Sequence, residues 1–95
     1  MLWCQRFTVS GFEWDDHNIE HIARHGVEFW EAEEAVLDPR RTGKTVYGGR
    51  RGLIGATEDG RLLVVIYEFR GQRIRAITAR DASAREGKSY RRRSR

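Results

Sequence analysis

Residues 62–80 read LLVVIYEFRGQRIRAITAR, and this stretch decides the fold. It contains two runs with the composition of strands, separated by Arg70 and Gly71, a pair that is typical of a tight turn between antiparallel strands. The first run is apolar at both alternating sets of positions, which indicates a central strand covered on both faces. At least one helix must therefore pack on the sheet.

The residues upstream of this stretch extend the sheet. Residues 50–58, RRGLIGATE, predict a third strand, which the turn at 58–61, EDGR, connects to the strand at 62–69. Residues 40–49 predict a loop because their glycines mark turns, and a small edge strand is expected at 45–47.

Two amphipathic helices are predicted before the sheet. Asp15 is a good N-cap for residues 16–25, and Gly26 suits the left-handed position that ends such a helix. The apolar face of this helix is formed by Ile19, Ile22 and Ala23. Residues 27–37 repeat the apolar pattern, and Pro39 prevents its continuation.

A third helix is predicted near the C-terminus, where Ser83 and Glu86 have the spacing of a capping box. The residues at 91–95 form a basic tail that we expect to be frayed or only weakly helical. The predicted fold is α+β, with two N-terminal helices and a C-terminal helix around a small, mainly antiparallel sheet of three to four strands.

Length and composition predict a single domain over residues 1–95. A membrane-spanning helix needs roughly 18 consecutive apolar residues, and no run of this sequence approaches that length. The N-terminus lacks the basic and long apolar regions of a secretory signal, so we expect a cytoplasmic protein. Cys4 is the single cysteine and cannot form an internal disulfide, so we interpret it as an incidental thiol.

Charge is distributed unevenly along the chain. The first 48 residues contain five Lys and Arg against nine Asp and Glu, whereas residues 49–95 contain 13 against five. Only Lys88 among those 13 cations is a lysine, and the planar fork of arginine suits bidentate contacts with phosphate. This pattern favours a polyanionic partner, and the alternative is that the charge only solubilises the surface.

Three histidines, His17, His21 and His25, recur every four residues and form one column on the predicted helix. The column lies opposite the apolar face, on the solvent side, where it lacks the buried neighbours that orient metal-binding imidazoles. No H-E-x-x-H motif is present either. We therefore predict surface histidines and no metal site, with His25 at the edge of an active site as an alternative.

Arginines are concentrated on the last predicted strand. Strict alternation places Arg73 and Arg75 on one face with Ile77 and Ala79, and places Arg80 on the other face with Ile74, Ala76 and Thr78. Arg61 opens the neighbouring strand and Arg51 the strand beyond it, so several guanidinium groups are expected to converge on the sheet surface. Such a cluster can bind RNA phosphates and stabilise a negatively charged transition state. The alternative is cross-strand pairing with Glu58, Glu68 or Asp81.

The order and spacing of several short motifs over residues 12–90 resemble the BrnT toxins of bacterial type II toxin–antitoxin systems. These motifs are FEWD at 12–15, Asn18, RHGVEF at 24–29, DP at 38–39, IGAT at 54–57, GRLL at 60–63, RIR at 73–75, ARDASARE at 79–86 and Tyr90. The sequence departs from the family pattern in an N-terminal extension at 1–11, at Glu68, at 87–89 and in the tail at 91–95.

The resemblance implies a RelE-like ribonuclease fold and metal-free cleavage of RNA, in which the 2′-hydroxyl attacks the adjacent phosphorus. It implies no cofactor. The implied partners are RNA and a BrnA-like antitoxin, in a heterotetramer that contacts operator DNA only through the antitoxin. The alternative is an inactive binding module of the same fold, which acts with an antitoxin as a repressor complex.

The resemblance also suggests roles for individual residues. We expect Arg61, Arg75 and Arg80 to bind phosphate and stabilise the transition state, and Tyr90 or His25 to supply acid–base chemistry or base stacking. The remaining residues predicted to bind RNA are Arg51, Arg73, Arg91, Arg92 and Arg93.

Overall fold

The computed structural model describes residues 11–46, 48 and 50–93. Cys4, ten of the eleven residues of the predicted extension, and the tail residues Ser94 and Arg95 lie outside the described residues. The elements, in chain order, are β1 (Gly11–Phe12), α1 (Asp16–Ala23), α2 (Phe29–Val36), β2 (Thr42–Lys44), β3 (Arg51–Ala56), β4 (Leu62–Arg70), β5 (Arg73–Asp81) and α3 (Ala84–Arg93).

The five strands form one sheet in the order β1-β5-β4-β3-β2, with β4 at its centre. All neighbours are antiparallel except β1, which pairs in parallel with the start of β5. The α+β class is as predicted, but the sheet has five strands because Gly11–Phe12 adds a short edge strand. The edge strand predicted at 45–47 lies instead at Thr42–Lys44.

The two faces of the sheet have different covers. The face that bears Leu63, Val65 and Tyr67, called here the helix face, packs against α1 and α2 and contains the main core. The opposite face, called here the groove face, bears Val64 and is covered at one end by α3. Val64 is buried, so the central strand is covered on both faces there, as the sequence predicted.

Two close contacts fix the helices on the helix face. Gly55 lies directly under α2, where any Cβ atom would overlap the carbonyl group of Ala35. The buried Asn18 side chain donates to the carbonyl oxygens of Glu13, at 3.0 Å, and Ala76, at 3.2 Å. Its Oδ1 accepts from the Asp15 N–H at 2.8 Å, so one side chain joins α1 to β5.

A β-bulge in β5 changes the predicted placement of its arginines. Tyr67 pairs with Ala76 but Ile66 pairs with Thr78, so Ile77 has no partner in the register. Residues after a bulge point to the face opposite the one that strict alternation gives. Arg80 therefore shares the groove face with Arg73 and Arg75, and the predicted separation of Arg80 from these two residues is wrong.

The same bulge corrects the position of Ala79, which the alternation placed beside Arg75. Ala79 pairs with Val65 and is fully buried in the core on the helix face. The apolar pattern of β5 is thus continuous on the helix face, and its cationic pattern is continuous on the groove face.

The ends of the helices follow the local sequence signals closely. Asp15 is the N-cap of α1 with Asn18 as its capping-box partner, and Gly26 has a φ of 76°, as predicted. Ser83 and Glu86 form the predicted capping box of α3. Helix α3 extends into the predicted tail, because Arg91, Arg92 and Arg93 form its last turn, where cations interact favourably with the helix dipole. No helix in the described ranges is long and apolar enough to cross a membrane.

Candidate nucleic-acid interface

Arg61 is held by two carboxylates on the helix face. Its Nε lies 2.7 Å from Asp81 Oδ1, and its Nη1 lies 3.0 Å from Glu31 Oε1 on α2. Asp81 pairs with Leu63 and therefore lies on the helix face, at the side opposite Arg80. The hydrogen bond from Arg61 keeps the pKa of Asp81 below its usual range. The predicted convergence of Arg61 with Arg80 on one sheet surface is wrong.

Arg75 lies on the groove face, and its side chain is bound at the N-terminus of α1. Its Nη1 lies 3.0 Å from Asp15 Oδ2 and 3.2 Å from Glu13 Oε1. The hydrogen bond from Arg75 is the largest of the contacts that lower the pKa of Asp15. Arg75 is thus positioned by the same N-cap residue that starts α1.

Arg80 forms a bidentate pair with Glu86 of α3, at 2.8 and 2.9 Å. The same carboxylate lies 2.8 Å from Lys44 Nζ on β2 and accepts from the Ser83 N–H at 2.8 Å. Chiefly because of Arg80, and with help from Lys44 and Ser83, the pKa of Glu86 lies well below its usual range although burial opposes the shift.

The other predicted site residues are dispersed. His25 follows α1, is exposed, and makes an edge-to-face ring contact with His21 at 5.6 Å. Tyr90 donates from its hydroxyl to Asp38 Oδ2 at 2.6 Å, so it joins α3 to the end of α2. Arg51 lies over the Phe69 ring at 5.2 Å, and Arg73 is exposed at the start of β5.

An open groove of about 920 Å³ runs between α3 and the β2–β3 edge of the sheet. Among the described residues, six cationic residues line it and Glu86 is its single carboxylate, but Arg51 pairs with Tyr67 and turns its guanidinium group to the Phe69 ring on the helix face. The cations are Lys44, Arg50, Arg51, Arg85, Arg92 and Arg93. Within the described part of the chain, no ion pair joins Arg50, Arg85, Arg92 or Arg93 to a carboxylate.

The sequence identified only part of this groove. Arg51, Arg92 and Arg93 were predicted to bind RNA, whereas Lys44, Arg50 and Arg85 were missed. Arg85 and Arg92 are seven residues apart in α3, so two full turns place them on one side of the helix, and this spacing could have indicated the pair. No sequence pattern indicated that β2 would bring Lys44 to the same surface.

A smaller pocket of about 280 Å³ lies where α1 meets the β4–β5 part of the sheet. Its charged and titratable lining comes from α1, β4, β5 and the residue before β3. These lining residues are His17, His21, Arg50, Glu68, Arg70 and Arg75. Arg50 lines both cavities, so the groove and the pocket adjoin at this residue.

The pocket revises part of the prediction for the histidine column. His17 and His25 are exposed as predicted. His21 is half-buried, because it lies next to Asn18 and Ile22 on the helix surface and these are the buried positions of α1. Ala23, predicted on the apolar face, is exposed. No group of three or more metal-ligating side chains occurs among residues 11–46, 48 and 50–93.

Comparison with known proteins identifies the family. A family model described as "Ribonuclease toxin, BrnT, of type II toxin-antitoxin system" matches residues 14–86. The chain belongs to the BrnT toxin family. Because toxins of type II systems act with an antitoxin, membership in the BrnT family implies an antitoxin partner.

The fold of this BrnT family member is also similar to a solved structure. The crystal structure of the Brucella abortus ribonuclease toxin, BrnT, superposes with a TM-score of 0.61 and 23% sequence identity, covering 77% of this chain and 96% of that chain. None of the curated proteins matches the chain significantly.

Proposed function

We propose that this chain is an active endoribonuclease toxin, which cleaves RNA in the cytoplasm without a metal ion and thereby inhibits translation and growth. The observation that carries this proposal is the groove between α3 and the sheet, which is lined by six cationic residues and one carboxylate among the described residues. An open cationic groove of this kind suits a single-stranded polyanion, because each phosphate that binds a cation releases a counterion.

The groove cations provide binding, and the arginines of the groove face provide positioned charge. Arg75 and Arg80 are held in fixed orientations by their carboxylate partners. An RNA phosphate that enters the groove competes with these carboxylates for the same guanidinium groups. We propose that both arginines stabilise the negative charge of the transition state once the phosphate is bound.

The remaining predicted residues have supporting roles in this proposal. A Cβ atom added to Gly26 would lie 3.9 Å from Arg61 Nη2. Arg61 therefore reaches the segment between α1 and α2, and His25 precedes Gly26 in that segment. We propose that Arg61 and His25 contact an RNA segment that extends past the helix face, and that Arg73 contacts RNA on the groove face at the start of β5. Tyr90 anchors α3 and presents its ring for base stacking.

We propose that a BrnA-like antitoxin neutralises this toxin by placing an acidic segment over the groove. Such a segment would form charge-assisted pairs with Arg50, Arg85 and the last turn of α3. The complex is proposed to be a heterotetramer assembled through a dimeric DNA-binding part of the antitoxin, which alone contacts operator DNA. Light scattering of the co-expressed pair tests this stoichiometry, and a 1:1 species would contradict it.

The second candidate function is an inactive binding module that acts only within the antitoxin complex. The ion pairs of Arg61, Arg75 and Arg80 favour it, because each predicted catalytic arginine is already engaged by carboxylates of the chain. In this candidate the arginines stabilise the fold, and the groove binds only the antitoxin.

Cleavage of RNA by the purified chain in excess EDTA separates the two candidates. The active toxin is expected to cut under these conditions, and the inactive module is not. The matched variants are Arg80→Ser, which is expected to reduce cleavage while retaining antitoxin binding, and Arg24→Ser, an exposed control at the end of α1. Cleavage that stops in EDTA and returns with zinc or manganese would contradict the metal-free mechanism.

A further inference from the structure

The pocket beside the groove brings acid–base groups together with arginines on β4 and β5 and with the arginine that precedes β3. Glu68 on β4 pairs with Arg75 on β5. On its other side, Tyr67 pairs with Arg51 of β3, so the next step of the same register places Arg50 opposite Glu68. In the register Glu68 therefore has an arginine on either side, although the guanidinium group of Arg75 is bound to Asp15 and Glu13. Arg70 Nε lies 3.8 Å from Glu68 Oε1, which is too long for a hydrogen bond.

Helix α1 contributes the imidazoles of this pocket. His17 and His21 are one turn apart and both line it, together with Asn18 between them. The Asn18 bond to the Ala76 carbonyl ties α1 to β5 beside Arg75, so the helix that carries the imidazoles is fixed to the strand that carries the arginine. A site built on rigid elements in this way is preorganised for chemistry.

The pocket is positioned to receive a nucleotide from the groove. Its volume of about 280 Å³ lies just below the range of about 300–1,000 Å³ that is typical of small-ligand pockets. Arg50 lines both cavities, so the two cavities adjoin at a residue that can bind a phosphate of an RNA strand in the groove.

We infer that this pocket is the cleavage site of the proposed ribonuclease, with Glu68 as general base and His21 as general acid. The inference rests on the proposed function. Glu68 takes the proton of the 2′-hydroxyl, whose oxygen forms a bond to the adjacent phosphorus. The bond from phosphorus to the 5′-oxygen breaks, and the His21 imidazolium gives its proton to that oxygen.

This step balances without a cofactor or a metal ion. Its products are a 2′,3′-cyclic phosphate and a 5′-hydroxyl, and the protonated Glu68 and neutral His21 regain their starting states by proton exchange with water. Arg50 and Arg75 stabilise the charge that develops on the non-bridging phosphate oxygens.

Single-turnover cleavage of an RNA oligonucleotide in EDTA tests the inference. Glu68→Gln and His21→Gln are each expected to cut about 100-fold more slowly or worse, since general acid–base catalysis contributes roughly 10²–10⁴-fold. Glu20→Gln, an exposed change on α1, is the control and is expected to cut at the wild-type rate. RNA affinity and thermal unfolding establish that each variant remains folded and binds.

The pH dependence and a modified substrate assign the two roles. Glu68→Gln is expected to lose the acidic limb of the rate profile, and His21→Gln the alkaline limb. The other charged or titratable groups around the pair are His17, His25, Arg50, Arg70 and Arg75. An RNA with sulfur in place of the 5′-bridging oxygen has a leaving group that needs no proton, so it is expected to restore His21→Gln but not Glu68→Gln.

The outcomes separate this inference from the proposed function. A wild-type chain that cuts no RNA overturns both. A wild-type chain that cuts, with both variants cutting at the same rate, overturns the acid–base assignment and leaves the ribonuclease proposal standing. A defect in only one variant, or rescue of Glu68→Gln by the sulfur substrate, overturns the pairing of roles.

Discussion

Glu86 holds the guanidinium group of Arg80 through both of its carboxylate oxygens, at 2.8 and 2.9 Å. Because Glu86 also binds Lys44, this one side chain joins α3 to β5 and β2, across the strands between them. Among the described residues that line the groove, it is also the single carboxylate beside six cationic residues. The residue that secures α3 is thus the residue that partly neutralises the proposed RNA surface.

The first prediction concerns stability in acid. The pKa of Glu86 in the folded chain lies well below its ordinary value of 4.5, chiefly because of Arg80. As pH falls, the unfolded chain therefore binds this proton before the folded chain does, so the stabilisation by Glu86 is complete above about pH 5 and is lost progressively below it. We expect Glu86→Gln to be less stable at neutral pH and to lose less stability on acidification.

Urea unfolding at neutral pH and at several acidic pH values measures this effect. Asp15 and Asp81 also have lowered pKa values and contribute to the acid slope of every variant, so the difference from wild type is the relevant quantity. Glu58→Gln, an exposed change in the turn between β3 and β4, is the control. Parallel pH profiles for wild type and Glu86→Gln would contradict the prediction.

The second prediction concerns the contact between Gly55 and α2. A Cβ atom at Gly55 would overlap the Ala35 carbonyl, so Gly55→Ala must push α2 away from β3. We expect the free energy of unfolding to fall by about 1–3 kcal/mol or more. Gly43→Ala is the matched control, since a Cβ atom at Gly43 on β2 meets nothing within 4 Å. Equal stability of the two variants would show that α2 tolerates the displacement.

The elements that depend on neighbouring residues could be predicted from the sequence. Asp15 with Asn18, Ser83 with Glu86, and the turn at Gly71 act over a few residues, and each lies where the pattern placed it. The family resemblance was confirmed by the match over residues 14–86.

The features that depend on distant residues could not be predicted in this way. The bulge at Ile77 is set by pairing with β4, and it reverses the face of Arg80 without any change in the alternating pattern. Glu68 and His21 are far apart in the sequence, and only the packing of α1 against β5 brings them to one pocket. Local periodicity contains no information about either arrangement.

The third prediction concerns Tyr90, whose hydroxyl donates to Asp38 at 2.6 Å. Asp38 also accepts from the Ala56 N–H at 2.8 Å, so the pair joins α3 to α2 and β3. We expect Tyr90→Phe to lose about 1.5–3 kcal/mol of stability, the range for a hydrogen bond to a charged group. A double-mutant cycle with Asp38→Asn isolates the coupling. Unchanged stability together with a large loss of cleavage would instead assign the hydroxyl to the chemistry.

The last prediction concerns the final turn of α3. Arg92 and Arg93 line the groove and have no carboxylate partner among the described residues, so they are available to bind phosphate. Each contact with single-stranded RNA contributes about 0.7 to the slope of log affinity against log salt. We expect Arg92→Ser with Arg93→Ser to weaken binding of all RNA sequences similarly and to flatten this slope by about 1.4. Arg24→Ser, at the C-cap of α1 and outside the lining of the groove, is expected to leave the slope unchanged. An unchanged slope in the double variant would exclude the last turn of α3 from the RNA surface.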